Sequence, residues 1–396
     1  MSSPSQSSGT EVADIFRRFG PRYRQHHKLP CRHLKAMSAI EQCRTAALGG
    51  HIDECDQCGH RRISYNSCRD RHCPKCQNLA KERWLKDRQK DLLPVPYFHI
   101  VFTIPDLLNA LTLVNQKVVY DILFRAASRA LLQLGKDPRY LGADIGLIAS
   151  LHTWGQNLMD HPHLHCVVPG GGLSKDGKKW VSSREDFFVP VKVLSRLFRG
   201  KFLHYLKKAY DEGKLKCVGK VGFLADEGEF KRLLDTLYGK EWNVYAKEPF
   251  GGPKDVLDYV GRYTHRVAIS NNRIVRVENG QVTFRWRDYR DGDTVKLMTL
   301  DVFEFIRRFL LHILPTGFFK IRYYGILSSR NRQTKLKRCK EIFGIIDDQK
   351  GQATHSATWE ELLFELTGTD LRICPCCKKG RMIRKEVLRP VSHSPP

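Results

Sequence analysis

Two Cys-x-x-Cys pairs set 14 residues apart, Cys55–Cys58 and Cys73–Cys76, constrain this chain more than any other feature. A pair at that spacing can turn tightly enough to place two thiolates on adjacent corners of a tetrahedron. Two such pairs then complete a four-thiolate zinc centre with no open position, so the ion is structural rather than catalytic. Arg61 to Asn66 is long enough to form a hairpin between them. The expected ligands are Cys55, Cys58, Cys73 and Cys76. Cys68, His51, His60 and His72 share the stretch and leave open a different four, or a second ion. The chain has 13 cysteines, an odd number and several of them in close pairs, which suits metal ligation in a reducing compartment better than a disulfide framework. Met1 to Thr10 is polar and Ser-rich without the apolar segment of a signal peptide. No run approaches the roughly 18 apolar residues of a bilayer span, so a cytoplasmic protein without membrane contact is expected.

Charge points to the partner. Lys plus Arg number 67 against 42 for Asp plus Glu, a net charge of +25, and such an excess suits a polyanion, above all nucleic acid. Arg61, Arg62, Arg69, Arg71 and Lys75 sit among the zinc cysteines and are expected to touch DNA. A hydrophobic content of 41% over 396 residues supports folded cores in two or three domains.

Along the chain, Val12 to Phe16 and Leu34, Met37, Ile40 and Ala47 read as helices, and Asn78 to Leu93 as a charged helix closed by Pro94. Pro96 to Pro105 reads as a buried strand, Asp106 opens a long helix toward Leu134, and Ile145 to Trp154 is a second strand. Asp160-His161-Pro162-His163-Leu164-His165-Cys166-Val167-Val168-Pro169 follows, ending at Gly170-Gly171-Gly172. Alternation on a strand puts His163 and His165 on one side, where two imidazoles can chelate a divalent metal. If the two strands pair, Gln156 can approach His163 and supply a hard oxygen for Mg²⁺ or Mn²⁺, with His152 and His161 as rival third ligands. Gly251-Gly252-Pro253 breaks the chain before a helix on which Tyr259 and Tyr263, four apart, emerge on one face beside Arg262, His265 and Arg266. Turns at Glu278-Asn279-Gly280 and Asp291-Gly292-Asp293 separate later strands, and Asp301 to Leu314 is a helix carrying Arg307 and Arg308. From Phe318 to Lys340 cations interleave with Phe318, Phe319, Tyr323 and Tyr324, a pattern single-stranded nucleic acid favours. Cys374-Pro375-Cys376-Cys377 is a further pair that Cys339 could complete.

Taken in order, the basic zinc ribbon, the Pro-Tyr-Phe-His-Ile-Val-Phe-Thr-Ile-Pro strand, Thr-Trp-Gly-Gln, His-Pro-His-Leu-His and Tyr-Val-Gly-Arg-Tyr resemble the rolling-circle transposases of the insertion-sequence 91 family. The resemblance spans about His51 to Leu327 and includes Phe305 to His312. It implies a His-hydrophobe-His endonuclease with His163 and His165 as metal ligands and Tyr259 and Tyr263 as nucleophiles. It implies, too, Zn²⁺ on the ribbon cysteines.

The expected architecture is α+β. An N-terminal helical segment (1–50) is followed by a zinc-ribbon DNA-binding domain (51–93). A nuclease and strand-transferase domain with an antiparallel sheet flanked by helices (94–300) precedes a basic helical C-terminal region with a Cys-rich end (301–396). Arg262, Arg266, Arg307 and Arg308 join the ribbon arginines as DNA contacts. The expected activity is cleavage and rejoining of single-stranded DNA through 5′-phosphotyrosine, on single-stranded and hairpin DNA at element ends and on target DNA. A replication initiator or relaxase would use the same chemistry. A zinc-dependent binding protein without catalysis would make the histidines and tyrosines structural.

Overall fold

A computed structural model describes residues 9–184, 189–250, 261, 267–288, 291–345, 358, 361, 363–365 and 368–391. Helices α1 (Val12–His26) and α2 (Cys31–Gln42) lead into a hairpin of β1 (Gly50–Cys55) and β2 (Arg61–Tyr65). Helix α3 (Gln77–Gln89) then precedes β3 (Tyr97–Thr103), and α4 (Asn109–Val114) and α5 (Gln116–Lys136) precede β4 (Gly146–Trp154) and β5 (Asp160–Pro169). A small hairpin of β6 (Gly171–Leu173) and β7 (Trp180–Ser182) is followed by α6 (Val191–Asp211), α7 (Glu227–Gly239) and β8 (Val244–Phe250). Strands β9 (Ile274–Glu278), β10 (Gln281–Asp288) and β11 (Thr294–Asp301) run into α8 (Val302–Leu311), β12 (Ile321–Gly325), α9 (Lys337–Ile342) and β13 (Met382–Leu388).

The central layer is a five-stranded antiparallel sheet in the order β12-β4-β5-β3-β8. Period-two alternation divides its residues between two faces. Phe98, Ile100 and Phe102 of β3, Leu147, Ala149 and Leu151 of β4, and Leu164, Cys166 and Val168 of β5 enter one core, which α5 and α6 cover. Helix α5 reaches that core through Val119, Tyr120, Leu123, Phe124, Ala127, Leu131 and Leu134, the three-and-four spacing of a buried helical stripe. Each buried Val, Leu or Phe side chain among them contributes roughly 1.5–3 kcal/mol by leaving water. The same alternation leaves His99, Ser150, His152, His163 and His165 on the opposite face.

A second core joins both halves of the chain. Phe16, Tyr23 and Met37 of the N-terminal helices pack with Phe284 of β10 and with Phe305, Ile306 and Phe309 of α8. The Asp301 carboxylate caps α8 by accepting from the Phe303 and Glu304 amides at 2.8 and 3.4 Å. Asn279 and Gly280, both at positive φ (50° and 73°), make the tight turn expected between β9 and β10.

Three expectations change. The long helix opening at Asp106 is two helices, because Asn115 leaves the helical conformation and its amide instead brackets Lys216, accepting from its N–H at 2.7 Å and donating to its carbonyl at 2.9 Å. Helix α2 stops at Gln42, short of Ala47, and Cys43 turns out of it. The region after residue 300 is not a separate tail, since β12 forms an edge of the central sheet and β13 pairs with β1. Accordingly Phe318 is buried, Tyr324 packs on the first core, and Tyr323 accepts a hydrogen bond from the Trp84 indole at 2.9 Å. Of the four aromatics read there as a stacking surface, only Phe319 is widely exposed, at 77%.

Candidate active site and metal centres

On the polar face of the central sheet, ring nitrogens of His152, His163 and His165 all lie within 4.8 Å of one another. Strand register brings them together: His163 and His165 alternate along β5, and His152 of β4 is the direct cross-strand partner of His163. The ring centroids of His152 and His165 are 4.5 Å apart, and those of His163 and His165 4.8 Å. Such spacing suits three nitrogens converging on one divalent ion.

The neighbours orient the rings. The Nδ1 of His163 lies 2.6 Å from the carbonyl oxygen of His161, so it carries the proton and leaves Nε2 to face a metal. His99 of β3 stacks on His165 (centroids 5.1 Å apart, planes within 9°), with its Nε2 2.8 Å from His165 Nδ1. Burial pushes the pKa of His99 down to about 3, which keeps it neutral and able to accept from His165. Partners of this kind fix the tautomer of a metal-binding histidine. Trp154 stacks on His152 with centroids 4.9 Å apart and planes within 12°. Sequence reasoning missed His99; its place in the Pro-bounded strand, with the parity of Val101 opposite His165, is the signal that would have found it.

Gln156 lies in the loop beyond Trp154, where its backbone carbonyl accepts from Arg273, while the ladder sets His152, one of the rival third ligands, opposite His163. On the same face, edge strand β8 carries Tyr245 beside Val101 and Lys247 beside His99, both exposed, and the sequence reading did not single out either. Tyr259, Tyr263, Arg262 and Arg266 lie outside the described residues. Gly261 between them is helical and buried, and a Cβ there would stand 2.8 Å from Leu85 Cδ1 and from Lys81 Cε of α3.

The cysteines form two groups, not the one expected. Cys43, Cys68, Cys73 and Cys76 converge, with Sγ–Sγ distances of 3.6 Å from Cys76 to both Cys43 and Cys68. Cys55 and Cys58 instead meet Cys374 and Cys377, at 3.7 Å for Cys55–Cys377 and 3.6 Å for Cys58–Cys374. The predicted set of Cys55, Cys58, Cys73 and Cys76 is therefore not assembled. The reason is the hairpin: Cys55 and Cys58 ride at its tip, about 17 Å along β1 from its base at roughly 3.3 Å per residue. Cys73 and Cys76 lie instead at the start of α3, in the second core. Cys339 is buried in a different cluster, away from Cys374. His72 is not a ligand either, since Asp70 holds its Nδ1 at 3.0 Å and its Nε2 accepts from the Leu314 amide at 3.2 Å.

Several cations read as DNA contacts are committed within the protein. Arg62 binds the Asp53 carboxylate and the Leu371 carbonyl, both at 3.0 Å. Arg71 donates to the carbonyls of Phe318 and Pro315, Lys75 pairs with Glu11, and Arg308 donates to the Glu304 carboxylate and, at 3.0 Å, to the Asn157 carbonyl. Arg61, Arg69 and Arg307 are exposed, although Arg307 also pairs with Glu304 at 2.6 and 2.8 Å and Arg61 lies 3.6 Å from Glu54.

Residues 146–335 match a family model described as a putative transposase, and residues 15–104 one described as a transposase zinc-binding domain. The chain is 55% identical over 389 residues to the putative transposase y4qJ of Sinorhizobium fredii, covering 98% of each protein. It is 29% identical over 300 residues to the transposase for insertion sequence element IS801 of Pseudomonas savastanoi pv. phaseolicola, covering 75% of this chain and 70% of that protein. No solved structure matches. Among the described residues no helix is long and apolar enough to cross a membrane.

Proposed function

The chain belongs to the insertion-sequence 91 family of transposases, and from that premise we propose that it cleaves and rejoins single-stranded DNA at element ends through 5′-phosphotyrosine intermediates. The observation that carries the proposal is the convergence of His152, His163 and His165 on one sheet face, with His99 setting the ring of His165. A divalent cation such as Mg²⁺ or Mn²⁺ at these nitrogens would withdraw charge from a non-bridging phosphate oxygen.

The protein's own groups do the rest. Tyr259 and Tyr263 are the nucleophiles in this reading. A phenol with a pKa near 10 is a weak nucleophile at neutral pH, so the site must hold the phosphate in line with the phenolic oxygen. As that oxygen bonds to phosphorus it loses its proton, the bond from phosphorus to the 3′ oxygen breaks, and the departing 3′ oxygen takes up a proton. The phosphodiester is kept as a phosphotyrosine ester, so the reverse attack by a 3′-hydroxyl can join a new strand without ATP. Two tyrosines allow two such bonds to coexist. Lys247, on the same face as the histidines, is placed to neutralise the DNA backbone, and exposed Tyr245 can stack on a base.

The test is a covalent-adduct assay on single-stranded DNA from the element's own ends with Mn²⁺, read as a slowed band on a denaturing gel. Adducts lost only when Tyr259→Phe and Tyr263→Phe are combined support two nucleophiles. Loss with one change alone reduces the proposal to a single nucleophile. Tight DNA binding with no adduct under any divalent metal overturns it.

A further inference from the structure

We propose that this protein holds a second structural zinc ion, bound by Cys55, Cys58, Cys374 and Cys377, which clasps the C-terminal segment onto the N-terminal hairpin. The transposase zinc-binding domain spans residues 15–104 and contains the whole of the Cys43, Cys68, Cys73 and Cys76 group. It contains only half of the other one, whose remaining ligands stand 316 residues or more along the chain.

The thiol geometry fits zinc. Four sulfurs at about 2.3 Å from one tetrahedral ion are about 3.8 Å from each other. The observed Cys55–Cys377 and Cys58–Cys374 separations are 3.7 and 3.6 Å, whereas a disulfide would hold its sulfurs at about 2.05 Å. All 13 cysteines are free.

The two halves are built alike. In the first, the Gln57 amide points at Cys55 Sγ (3.4 Å), the Gly59 amide closes on the Cys55 carbonyl (3.1 Å), and Gly59 sits at φ 69°. In the second, the Cys376 amide points at Cys374 Sγ (3.4 Å), the Lys378 amide closes on the Cys374 carbonyl (3.0 Å), and Lys378 sits at φ 61°. A left-handed residue directly after the second cysteine is what folds each pair back so that both thiolates face the same point. The Gly380 amide reaches Cys377 Sγ at 3.3 Å, and backbone amides of this kind favour thiolate over thiol.

Around the sulfurs, the two ends of the chain are joined as one small domain. Strands β13, β1 and β2 form a three-stranded antiparallel sheet, with Cys55 opposite Met382. Asp56 and Arg381 exchange hydrogen bonds at 2.8 and 3.1 Å. Gly380 lies so close that a Cβ would stand 2.4 Å from Cys55 Sγ. The exposed Cys376 takes no part in the group. The clasp thus gathers Arg61 of β2 with Lys378, Lys379, Arg381, Arg384 and Lys385 of the C-terminal segment on one small domain.

Native mass spectrometry of the full chain tests the proposal without reference to strand transfer, so its failure and that of the proposed reaction are separable. Two zinc ions per chain are expected for the protein as it stands and for Cys376→Ser, and one for the combined Cys374→Ser and Cys377→Ser variant. Limited proteolysis should release the segment around residues 368–391 from that variant while sparing the central sheet. If the double variant proves insoluble, Cys58→Ser, changed at an exposed ligand, should show the same fall from two to one. A single zinc in the unaltered chain, or two retained in both variants, would overturn the clasp.

Discussion

The two thiol groups use the same four-cysteine chemistry, yet they are set differently in the fold. Cys43, Cys68, Cys73 and Cys76 come from one stretch of chain, and Cys43 and Cys73 are buried in the core that joins α1 and α2 to α8. Cys55, Cys58, Cys374 and Cys377 come from opposite ends, and Cys58 is exposed at a hairpin tip. The farthest ligands of the first group are 33 positions apart and those of the second 322, though the entropic cost of closing a loop rises only slowly with its length. A metal inside a core is inseparable from that core's stability, whereas a metal at the tip of a hairpin governs a local attachment.

That contrast is sharpest in Cys73→Ser. Zinc binding at a four-thiolate site is worth on the order of 10 kcal/mol, as much as the whole stability of many domains. The variant is expected to lose the packing of the N-terminal helices against α8, seen as a large fall in melting temperature by circular dichroism. Cys58→Ser should leave the main transition within a few degrees of the unaltered protein. Equal losses in the two variants would erase the distinction.

A second effect runs from the first thiol group to the proposed nucleophiles. Cys76 directly precedes α3, and Leu85 of that helix lies against Gly261. Gly261→Val would force the two apart, and a displacement of about 1 Å at a reacting group can cost on the order of 100-fold in rate. Adduct formation should fall about 10- to 100-fold with DNA affinity little changed, in single-turnover assays. An unchanged rate would break the link between this zinc-bearing segment and the chemistry.

Smaller effects test the other centres. Gly380→Ala, with its Cβ driven against Cys55 Sγ, should weaken only the second zinc, by roughly 10- to 100-fold in a chelator competition, like other losses of supporting geometry at metal sites. His99→Ala removes the partner of His165 Nδ1 and should weaken Mn²⁺ binding to a similar degree, by calorimetry. Effects of neither variant would mean that the sulfurs and imidazoles hold their geometry unaided.

Much of the fold was legible because it is periodic. The Pro-bounded strand, the His-rich strand and the Asn-Gly turn appear as β3, β5 and the β9–β10 turn. The break at Asn115 was not legible, because it depends on Lys216, a residue 101 positions away. The same limit governed the metal centres. Spacing identified zinc knuckles at Cys55–Cys58 and Cys73–Cys76, but which knuckles share an ion depends on which strands pair, and β13 is distant in sequence. His163 and His165 could be placed on one face by strand parity alone. Placing His152 beside them required the register between β4 and β5, which a five-residue loop sets and composition does not. Charge was the least specific signal. Arg62, Arg71 and Arg308 read as nucleic-acid contacts, and each is tied to a carbonyl within the fold.

The most direct measurement compares His152→Ala with Gln156→Ala in Mn²⁺ titration calorimetry and in the single-strand adduct assay. Three converging imidazoles predict that His152→Ala weakens Mn²⁺ binding at least about 10-fold and lowers adduct yield with it, while Gln156→Ala leaves both near their original values. The opposite pattern, with Gln156 essential and His152 dispensable, would contradict the account of the site.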